Sequence, residues 1–373
     1  LSEWNNIQQN VSIEYLKEKI ISWIVDVHIN NVSRINLFIY LDEKLKYEIL
    51  SNIENIDEIT DGILIKSDNF QALNTILPKY KEQIDLIYID PPFNTGSDFA
   101  YKDRFQDSTW LTLMENRLSL AKEFLTDKGS FYLHLDYRAN FLGRLLLDNI
   151  MNKNLLNEVI YGYRIQGIKR NAYANKHDTI FIYTKKHPDD NQHIFNVEKE
   201  IQIYQKPFMD VKTIEADLNK LSEKDMNIIF KCLENRKPLP DKFKDLIFNQ
   251  YHAETFIRDV WDHDKTKPLI SGSSEYLQFQ TQKSEGLLNR VISNSSNRNS
   301  IVMDFFNGSG TTFNTAHKLN RKWIGIEVGE HFNTVNSPRI KNTLAGILNG
   351  ISKELEKEGN LKKGGIVKYY ELE

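Results

Sequence analysis

The stretch IDLIYIDPPFNTG, residues 84–96, ends an apolar run with an acid, two prolines and an aromatic ring. Prolines have no backbone N–H, so they stop a strand and leave carbonyl oxygens without a paired donor. Asp90 and the Pro91 carbonyl therefore offer hydrogen-bond acceptors only, and Phe93 adds a flat stacking face. This set suits the exocyclic amino group of a nucleobase, which has two N–H donors on a flat ring. Hydrogen bonds to both acceptors would pull the nitrogen out of conjugation. Its lone pair could then attack a methyl group on a sulfonium, while the acid tolerates the developing positive charge.

A second candidate site is the loop DFFNGSGTT, residues 304–312, between a strand pattern and a helix pattern. Gly308 and Gly310 allow the backbone to pass close to a ligand, and the following helix offers unpaired N–H groups. Glu327 ends the next predicted strand about 20 residues on, which suits an acid that binds ribose hydroxyls in a βαβ nucleotide site. The third glycine of the dinucleotide fingerprint is absent. Asp304 and Glu327 fit the sulfonium, ammonium and ribose of S-adenosylmethionine better than a pyrophosphate. For each motif alone there is a plainer alternative: a tight turn for the glycine loop, and a solvated acid after a proline-terminated strand for the first motif.

Alternating strand and helix patterns surround both motifs. The predicted strands are residues 34–42, 63–68, 84–90, 130–136, 157–164, 300–306 and 321–328. The predicted helices are residues 12–29, 69–80, 110–129, 139–151, 217–236, 282–296 and 311–320, and Gly129 suits the end of the third. This alternation predicts an α/β fold with a doubly wound, mostly parallel sheet and helices on both faces. The ending IVKYYELE is either one more strand or an exposed arm.

Composition sets further bounds. The chain has 373 residues, 40% of them hydrophobic and 27% charged, with a net charge of -3. The overall charge therefore does not indicate a nucleic-acid partner, and any basic surface that binds one must be local. Cys232 is the single cysteine, which excludes an internal disulfide and fits a reducing cytosol. The chain has no Gly-Lys-Ser/Thr phosphate loop, no apolar run that could span a membrane and no signal-peptide pattern. A start without Met suggests a processed chain or an excised piece, and the abrupt ends suggest that the natural chain is longer.

Together, the two motifs resemble those of site-specific DNA amino-methyltransferases. The Asp-Pro-Pro-Phe at residues 90–93 is similar to the family's catalytic motif, and the glycine loop to its S-adenosylmethionine motif. Their order resembles the beta arrangement. The stretch YIDPPFNTGSDFAYKDRF and the ending GGIVKYYELE are most similar to modification (Mod) subunits of type III restriction–modification systems. The resemblance covers about residues 60–186 and 270–345.

The resemblance implies a Rossmann-like methyltransferase fold and transfer of a methyl group from S-adenosyl-L-methionine to the N6 amino group of a flipped-out adenine. The Asp-Pro-Pro start resembles adenine-N6 enzymes more than the Ser-Pro-Pro start common among cytosine-N4 enzymes. Cytosine-N4 methylation remains the nearest alternative. Another is a DNA-recognition subunit that serves a partner nuclease, and an RNA-directed methyltransferase is a weaker one.

Roles for matching positions also follow from the resemblance. The residues implied to hold and stack the target base are Asp90, Pro91, Pro92 and Phe93. Those implied to bind the cofactor are Asp68, Lys283, Asp304, Phe306, Gly308, Ser309, Gly310, Thr311 and Glu327. Within this set Asp68 matches an acid near the cofactor adenine, and Glu327 one on its ribose. Lys283 matches a lysine on the methionine carboxylate, although serine here replaces the family's following proline. Phe93 stands where a common variant has tyrosine, which preserves stacking.

The same reading divides the chain into five parts. These are an N-terminal extension (1–55), a catalytic half (56–186), an inserted smaller target-recognition region (187–268), a cofactor-binding half (269–345) and a charged C-terminal extension (346–373). The polar composition of the inserted region breaks the strand–helix alternation and marks its bounds. We expect it to supply base readout.

Contact with DNA requires base flipping, because the target amine is inaccessible inside a duplex. The aromatic loop GSDFAYKDRFQDSTW, residues 96–110, is predicted either to close over the flipped base or to tuck its aromatic rings into the core. Residues 161–186 carry six cations and one acid, a pattern that favours phosphate contact over a merely solvated face. The DNA-binding candidates are Tyr101, Lys102, Arg104, Arg164, Lys169, Arg170, Lys176 and His177.

The expected partners are double-stranded DNA, a restriction (nuclease/helicase) subunit and a second copy of the chain, with no membrane. A cytoplasmic location, nucleoid-associated through DNA, is expected. The cluster WDHDK at 261–265 and His252 match no familiar ligand spacing, so no metal site is predicted.

Overall fold

The computed structural model describes residues 51, 55–96, 103–163, 170–203, 221–234, 240, 242–243, 252–262 and 265–372. The predicted helix 12–29 and strand 34–42 lie outside this part. The chain divides into two compact units, the first made of residues 1–196 with 259–373 and the second of Val197–Arg258. The five-part division, including the bounds 187 and 268, stays a prediction.

The strands alternate with helices along most of the described chain. The strands are β1 (Thr60–Lys66), β2 (Ile84–Ile89), β3 (Leu125–Leu135), β4 (Leu155–Gly162), β5 (His177–Thr184), β6 (Lys199–Ile203), β7 (His252–Phe256), β8 (Val260–Trp261), β9 (Ile301–Asp304), β10 (Lys322–Glu327) and β11 (Ile366–Glu371). The helices are α1 (Ile56–Ile59), α2 (Asn69–Tyr80), α3 (Asp107–Phe124), α4 (Asn140–Ile150), α5 (Glu223–Glu234), α6 (Glu285–Ser295), α7 (Thr311–Lys318), α8 (Ser337–Leu344) and α9 (Ser352–Lys357). A 3₁₀ turn covers Pro188–Asp190 and a π-helical turn Phe332–Asn336.

Nine strands of the described residues form one sheet in the order β11-β1-β10-β9-β2-β3-β5-β4-β8. Neighbouring strands are parallel, except that β5 runs antiparallel to both β3 and β4. The predicted α/β fold with a mostly parallel sheet is confirmed. The C-terminal ending is a strand, because β11 pairs with β1 along the sheet edge.

The sheet reverses its winding between β2 and β9. The chain passes from β2 to its neighbour β3 on one side, and from β9 to its neighbour β10 on the other. In open α/β sheets, the carboxyl ends of the strands at such a reversal form a crevice that binds ligands. The fold therefore places the ends of β2 and β9, which carry the two sequence motifs, side by side.

Both faces of the sheet are covered. On β2, Ile87 and Ile89 belong to a core shared with α2, α3 and α4, while Leu86 and Tyr88 are buried on the other face. A continuous apolar run such as β2 is expected of a parallel strand buried on both sides. Within the described residues, no helix is long and apolar enough to cross a membrane.

The predicted helix 110–129 is wrong at its end. Helix α3 stops at Phe124, and Gly129 lies inside β3. A Cβ atom at Gly129 would come 2.9 Å from the carbonyl oxygen of Ile84. The glycine is therefore required by the close approach of β3 to β2, not by a helix cap.

The second unit contains its own small elements. Strands β6 and β7 pair antiparallel, with Lys199 opposite Phe256. Helix α5 places Ile229 against Phe243, with Cys232 half-buried beside them.

Candidate active site

A cleft opens at the carboxyl edge of β2 and β9. It is lined by residues of both motifs, so the expectation of a single shared cleft holds for Asp90 and Gly308. The candidate residues on its walls are Asp68, Asp90, Pro92, Lys283, Asp304, Phe306, Gly308, Ser309, Thr311 and Glu327. Tyr88 and Arg117 also line it and were not among the candidates.

The glycine loop turns between β9 and α7 in a backbone form that only glycine adopts easily. Gly308 has φ +50° and Gly310 has φ +77°, and a Cβ at Gly310 would lie 2.2 Å from the Phe313 ring. The N–H of Gly308 donates to Glu327 Oε2 at 2.8 Å. The other carboxylate oxygen of Glu327 accepts from the N–H groups of Val328 and Gly329, at 2.9 and 2.8 Å. Glu327 thus holds the loop against β10. Since a carboxylate has about four acceptor sites, it retains capacity for a hydroxyl donor.

Asp304 is buried at the mouth of this loop. Its carboxylate accepts from the N–H of Phe306 at 2.9 Å and from the Thr312 hydroxyl at 2.6 Å. Burial raises the pKa of Asp304 to about 7, and repulsion from Asp90 and Glu327 acts in the same direction. The acid is therefore only part-ionised near neutral pH, and a cation in the cleft would favour its charged form.

Asp90 contacts a residue that lies far away in the sequence. The ammonium of Lys283 forms an ion pair with Asp90 Oδ2 and lies 5.1 Å from the centre of the Phe93 ring. The other oxygen, Oδ1, is buried without a hydrogen-bond partner among the described residues. A buried acceptor in this state is costly unless a ligand supplies the donor. Lys283 thus lies between the acid and the aromatic ring of the first motif, whereas the resemblance assigns it to the cofactor.

Asp68 has structural contacts on both of its oxygens. It caps α2, with Oδ1 accepting from the N–H groups of Phe70 and Gln71 at 2.9 and 3.3 Å. Its Oδ2 forms an ion pair with Arg117 at 3.0 Å. The acid lies on the cleft wall, and Arg117 adds a cation there.

The segment after the first motif is anchored in the core. The indole N–H of Trp110 donates to the Pro92 carbonyl at 2.8 Å, and Trp110 is fully buried. Phe105 also packs against the core, and Asp103 accepts from the N–H of Asn94 at 2.7 Å. For Phe105 and Trp110, the alternative of aromatic rings tucked into the core is therefore correct. The middle of the loop, residues 97–102, lies outside the described part.

The DNA-binding candidates are only partly described. Tyr101, Lys102, Arg164 and Lys169 lie outside the described residues. Arg104, Arg170 and His177 are exposed, and Lys176 is half-buried. His177 begins β5, which runs antiparallel beside β3, so it lies at the same edge of the sheet as the cleft.

The prediction that residues 161–186 form a single basic surface is wrong, because its described cations lie at opposite edges of the sheet. Lys185 and Lys186 follow β5 and so lie at the opposite edge of the sheet from His177. There the Lys185 ammonium donates to the Lys122 carbonyl at 2.7 Å, and Lys186 pairs with Asp127 at 3.1 Å. Strand β5 separates the two groups of cations along its length.

Two buried polar groups near the cleft were missed. One is a chain of hydrogen bonds through His134 behind Phe93. The other is an ion cluster around Glu285 behind the glycine loop. The strand and helix patterns gave no signal for either, because both join side chains from separate elements.

Comparison with known proteins identifies the family to which the chain belongs. The family model of DNA methylases matches residues 84–336, more than half of the chain. The chain therefore belongs to the DNA methylase family, and the resemblance found in the motifs is confirmed.

Three known proteins show how similar this chain is to members of the family. The probable type III restriction-modification enzyme HindVI Mod subunit of Haemophilus influenzae is 27% identical over 84% of this chain and 54% of that protein. The type II methyltransferase M.HpaI of Haemophilus parainfluenzae is 27% identical over 77% of this chain and 76% of that protein. The DNA adenine methyltransferase YhdJ of Escherichia coli is 25% identical over 67% of this chain and 74% of that protein. The chain spans about half the length of the HindVI Mod subunit.

Proposed function

We propose that this chain transfers the methyl group of S-adenosyl-L-methionine to the N6 amino group of an adenine flipped out of double-stranded DNA. It would act as the modification component of a restriction–modification system. The observation that carries the proposal is the buried, unpartnered Oδ1 of Asp90, stated for the described residues, in one cleft with the glycine loop. Adenine is favoured over cytosine by the Asp-Pro-Pro start and by the similarity to a DNA adenine methyltransferase.

The charges of the cleft suit this cofactor. Asp304 and Glu327 lie beside the glycine loop, and the cations Lys283 and Arg117 lie on the same walls. A ligand with a sulfonium, an ammonium, a ribose and one carboxylate offers a complement to both signs of charge. When bound, the cofactor supplies an electrophilic methyl group. Asp68, Lys283, Asp304, Phe306, Gly308, Ser309, Gly310, Thr311 and Glu327 are the residues proposed to hold it.

The chain's own part in the reaction lies with the first motif. Asp90 Oδ1 accepts a hydrogen bond from the target amine, and the Pro91 carbonyl accepts the second. Phe93 stacks on the base. The negative charge of Asp90 stabilises the positive charge that develops on the amine nitrogen during transfer.

The proposal is tested by expressing the chain in a host with no DNA methylation of its own. Nucleosides of its DNA are then analysed by mass spectrometry, and its genome by methylome sequencing. We expect N6-methyladenine at one sequence. N4-methylcytosine alone would replace the adenine assignment with the cytosine alternative. No modified base, together with retained DNA binding, would favour a recognition subunit of a partner nuclease.

The proposed partners follow from exposed features of the first unit. Arg104, Arg170, Lys176 and His177 would contact DNA phosphates, with Tyr101, Lys102, Arg164 and Lys169 from the same two segments. The inserted region 187–268 would read bases. A homodimer would cover the exposed side chains of Phe141 and Leu145, which share one face of α4, and of Tyr137 just before that helix. A restriction subunit is the other proposed protein partner. The proposed location is cytoplasmic, with association to the nucleoid through DNA.

Cofactor affinity is expected to fall as the pH is lowered, because Asp304 must ionise to face a cationic ligand. With the pKa of Asp304 raised to about 7 by burial, binding releases a proton near neutral pH. The dissociation constant should rise by up to about tenfold from about pH 8 to about pH 6. Calorimetric titration with S-adenosylmethionine measures both the affinity and the released proton.

The matched control is Asp304→Asn, which keeps the size of the side chain and removes its titration. Its binding should be weaker, and the pH dependence should shrink to that of the ligand's own groups. An unchanged pH slope in this variant would assign the effect to another group.

A further inference from the structure

A buried chain of hydrogen bonds runs behind the first motif, across three neighbouring strands. The Tyr88 hydroxyl on β2 and His134 Nδ1 on β3 are 2.8 Å apart. His134 Nε2 lies 3.0 Å from Asp178 Oδ2 on β5. The Tyr163 hydroxyl donates to the other oxygen of Asp178 at 3.2 Å. His134 is completely buried.

The donors and acceptors of this chain fix one form of the imidazole. Burial raises the pKa of Asp178, but its hydrogen bonds, that with His134 first, and the positive charge of Lys283 hold it below the usual range. The ionised carboxylate can only accept, so in the neutral imidazole His134 Nε2 carries the hydrogen and Nδ1 accepts from the Tyr88 hydroxyl. With both ring nitrogens bonded, the imidazole cannot rotate without losing two buried hydrogen bonds.

The fixed ring stands directly against the aromatic residue of the first motif. The rings of Phe93 and His134 are stacked, with centroids 6.0 Å apart and an interplanar angle of 30°. Tyr161 packs edge-on against the same imidazole at 5.5 Å. Phe93 is half-buried, and the ring it stacks on, His134, is in turn packed against Tyr161.

We propose that His134 is a positioning residue for base binding: it holds the Phe93 ring in the orientation that stacks on the target base, and Tyr88 and Asp178 lock the imidazole in place. This inference rests on the proposed function of Phe93. His134 does not touch the base. Its contribution reaches the reaction only through the Phe93 ring, so its loss should resemble a partial loss of Phe93.

The test is a double-mutant cycle of His134→Gln and Phe93→Leu, assayed on a duplex that contains the sequence found by methylome sequencing. Glutamine can still bridge Tyr88 and Asp178 but offers no ring. We expect His134→Gln to raise KM for DNA about three- to tenfold, the range of an aromatic pair, with cofactor affinity unchanged. Added to Phe93→Leu, the same change should have almost no further effect, because the ring it positions is already gone.

A second readout reports the base directly. With 2-aminopurine in place of the target adenine, flipping raises its fluorescence, and His134→Gln should reduce that rise as Phe93→Leu does. If His134→Gln fails to fold, Tyr88→Phe removes one of the two locking hydrogen bonds and should give a smaller loss in the same direction. Its loss, too, should vanish in the Phe93→Leu background.

The inference would be overturned if the increases in KM for DNA caused by the two substitutions multiplied in the double variant. It would also be overturned if His134→Gln weakened cofactor binding as much as it weakened DNA binding. Either result would assign His134 a purely structural role. Such a result leaves the proposed function intact, provided that the unsubstituted chain methylates DNA. Absence of methylation by the unsubstituted chain would instead remove the proposed function, and the inference with it.

Discussion

Replacement of Asp90 by asparagine is expected to lower kcat by about 100- to 1000-fold, the loss measured when one preorganised electrostatic group is removed from an active site. Asparagine keeps the size of the side chain but not its charge, and its amide replaces one of the two acceptor oxygens with an N–H donor group. The variant therefore loses the stabilisation of the positive nitrogen, and it can accept from the target amine only when its single remaining oxygen faces the base. Single-turnover methylation assays with tritiated cofactor isolate the chemical step.

Cofactor binding should survive this substitution. The charge of Asp90 raises the pKa of Asp304, so its removal makes Asp304 easier to ionise and partly compensates for the lost negative charge. We expect a dissociation constant within about threefold of that of the unsubstituted chain.

Asp85→Asn is the matched control, because Asp85 lies on β2 near the end of the strand that is far from Asp90. Its carboxylate accepts from the Thr126 hydroxyl at 3.1 Å, away from the cleft. The variant should keep its kcat. A kcat within about tenfold of the original for Asp90→Asn would contradict the role assigned to Asp90.

The sequence was sufficient for features that depend on neighbouring residues. Apolar periodicity located the strands and helices, and the Asp-Pro-Pro and Gly-x-Gly patterns located two strand ends, because proline and glycine restrict the backbone locally. A parallel sheet brings the carboxyl ends of its strands to one edge, and there Asp90 and Gly308 line the same cleft.

Contacts between distant segments could not be predicted in this way. The Asp90–Lys283 pair joins residues 193 positions apart, and it depends on how α6 begins beside β2. His134 and Asp178 meet only because β5 enters the sheet antiparallel beside β3. Periodicity indicates that a segment is a strand but not which strand lies next to it. The sequence also did not show that β5 runs between His177 and Lys185, so these two residues were assigned to one basic surface although they lie at opposite edges of the sheet.

A buried ion cluster holds the glycine loop from behind. The Glu285 carboxylate, at the first residue of α6, accepts from Lys318 Nζ at 2.7 and 2.9 Å and from Arg339 Nη2 at 3.2 Å. All three side chains are almost inaccessible to solvent. Arg339 also donates to the Ser309 carbonyl at 3.1 Å and to the Thr311 hydroxyl at 3.0 Å. The cluster thus connects α6, α7 and α8 to the loop.

Glu285→Gln is expected to lower the free energy of unfolding by about 3–5 kcal/mol, because it leaves two buried cations without their counter-charge. Since Arg339 then loses its partner, its bonds to the glycine loop should weaken, and cofactor affinity should fall with stability. Urea unfolding measures the first effect and calorimetric titration the second. Lys81→Met is the control, because Lys81 and Glu123 form an exposed pair at 3.3 Å, whose loss should cost less than about 1 kcal/mol. Equal losses in the two variants would mean that the buried cations find other partners. The cluster would then not be what fixes the loop.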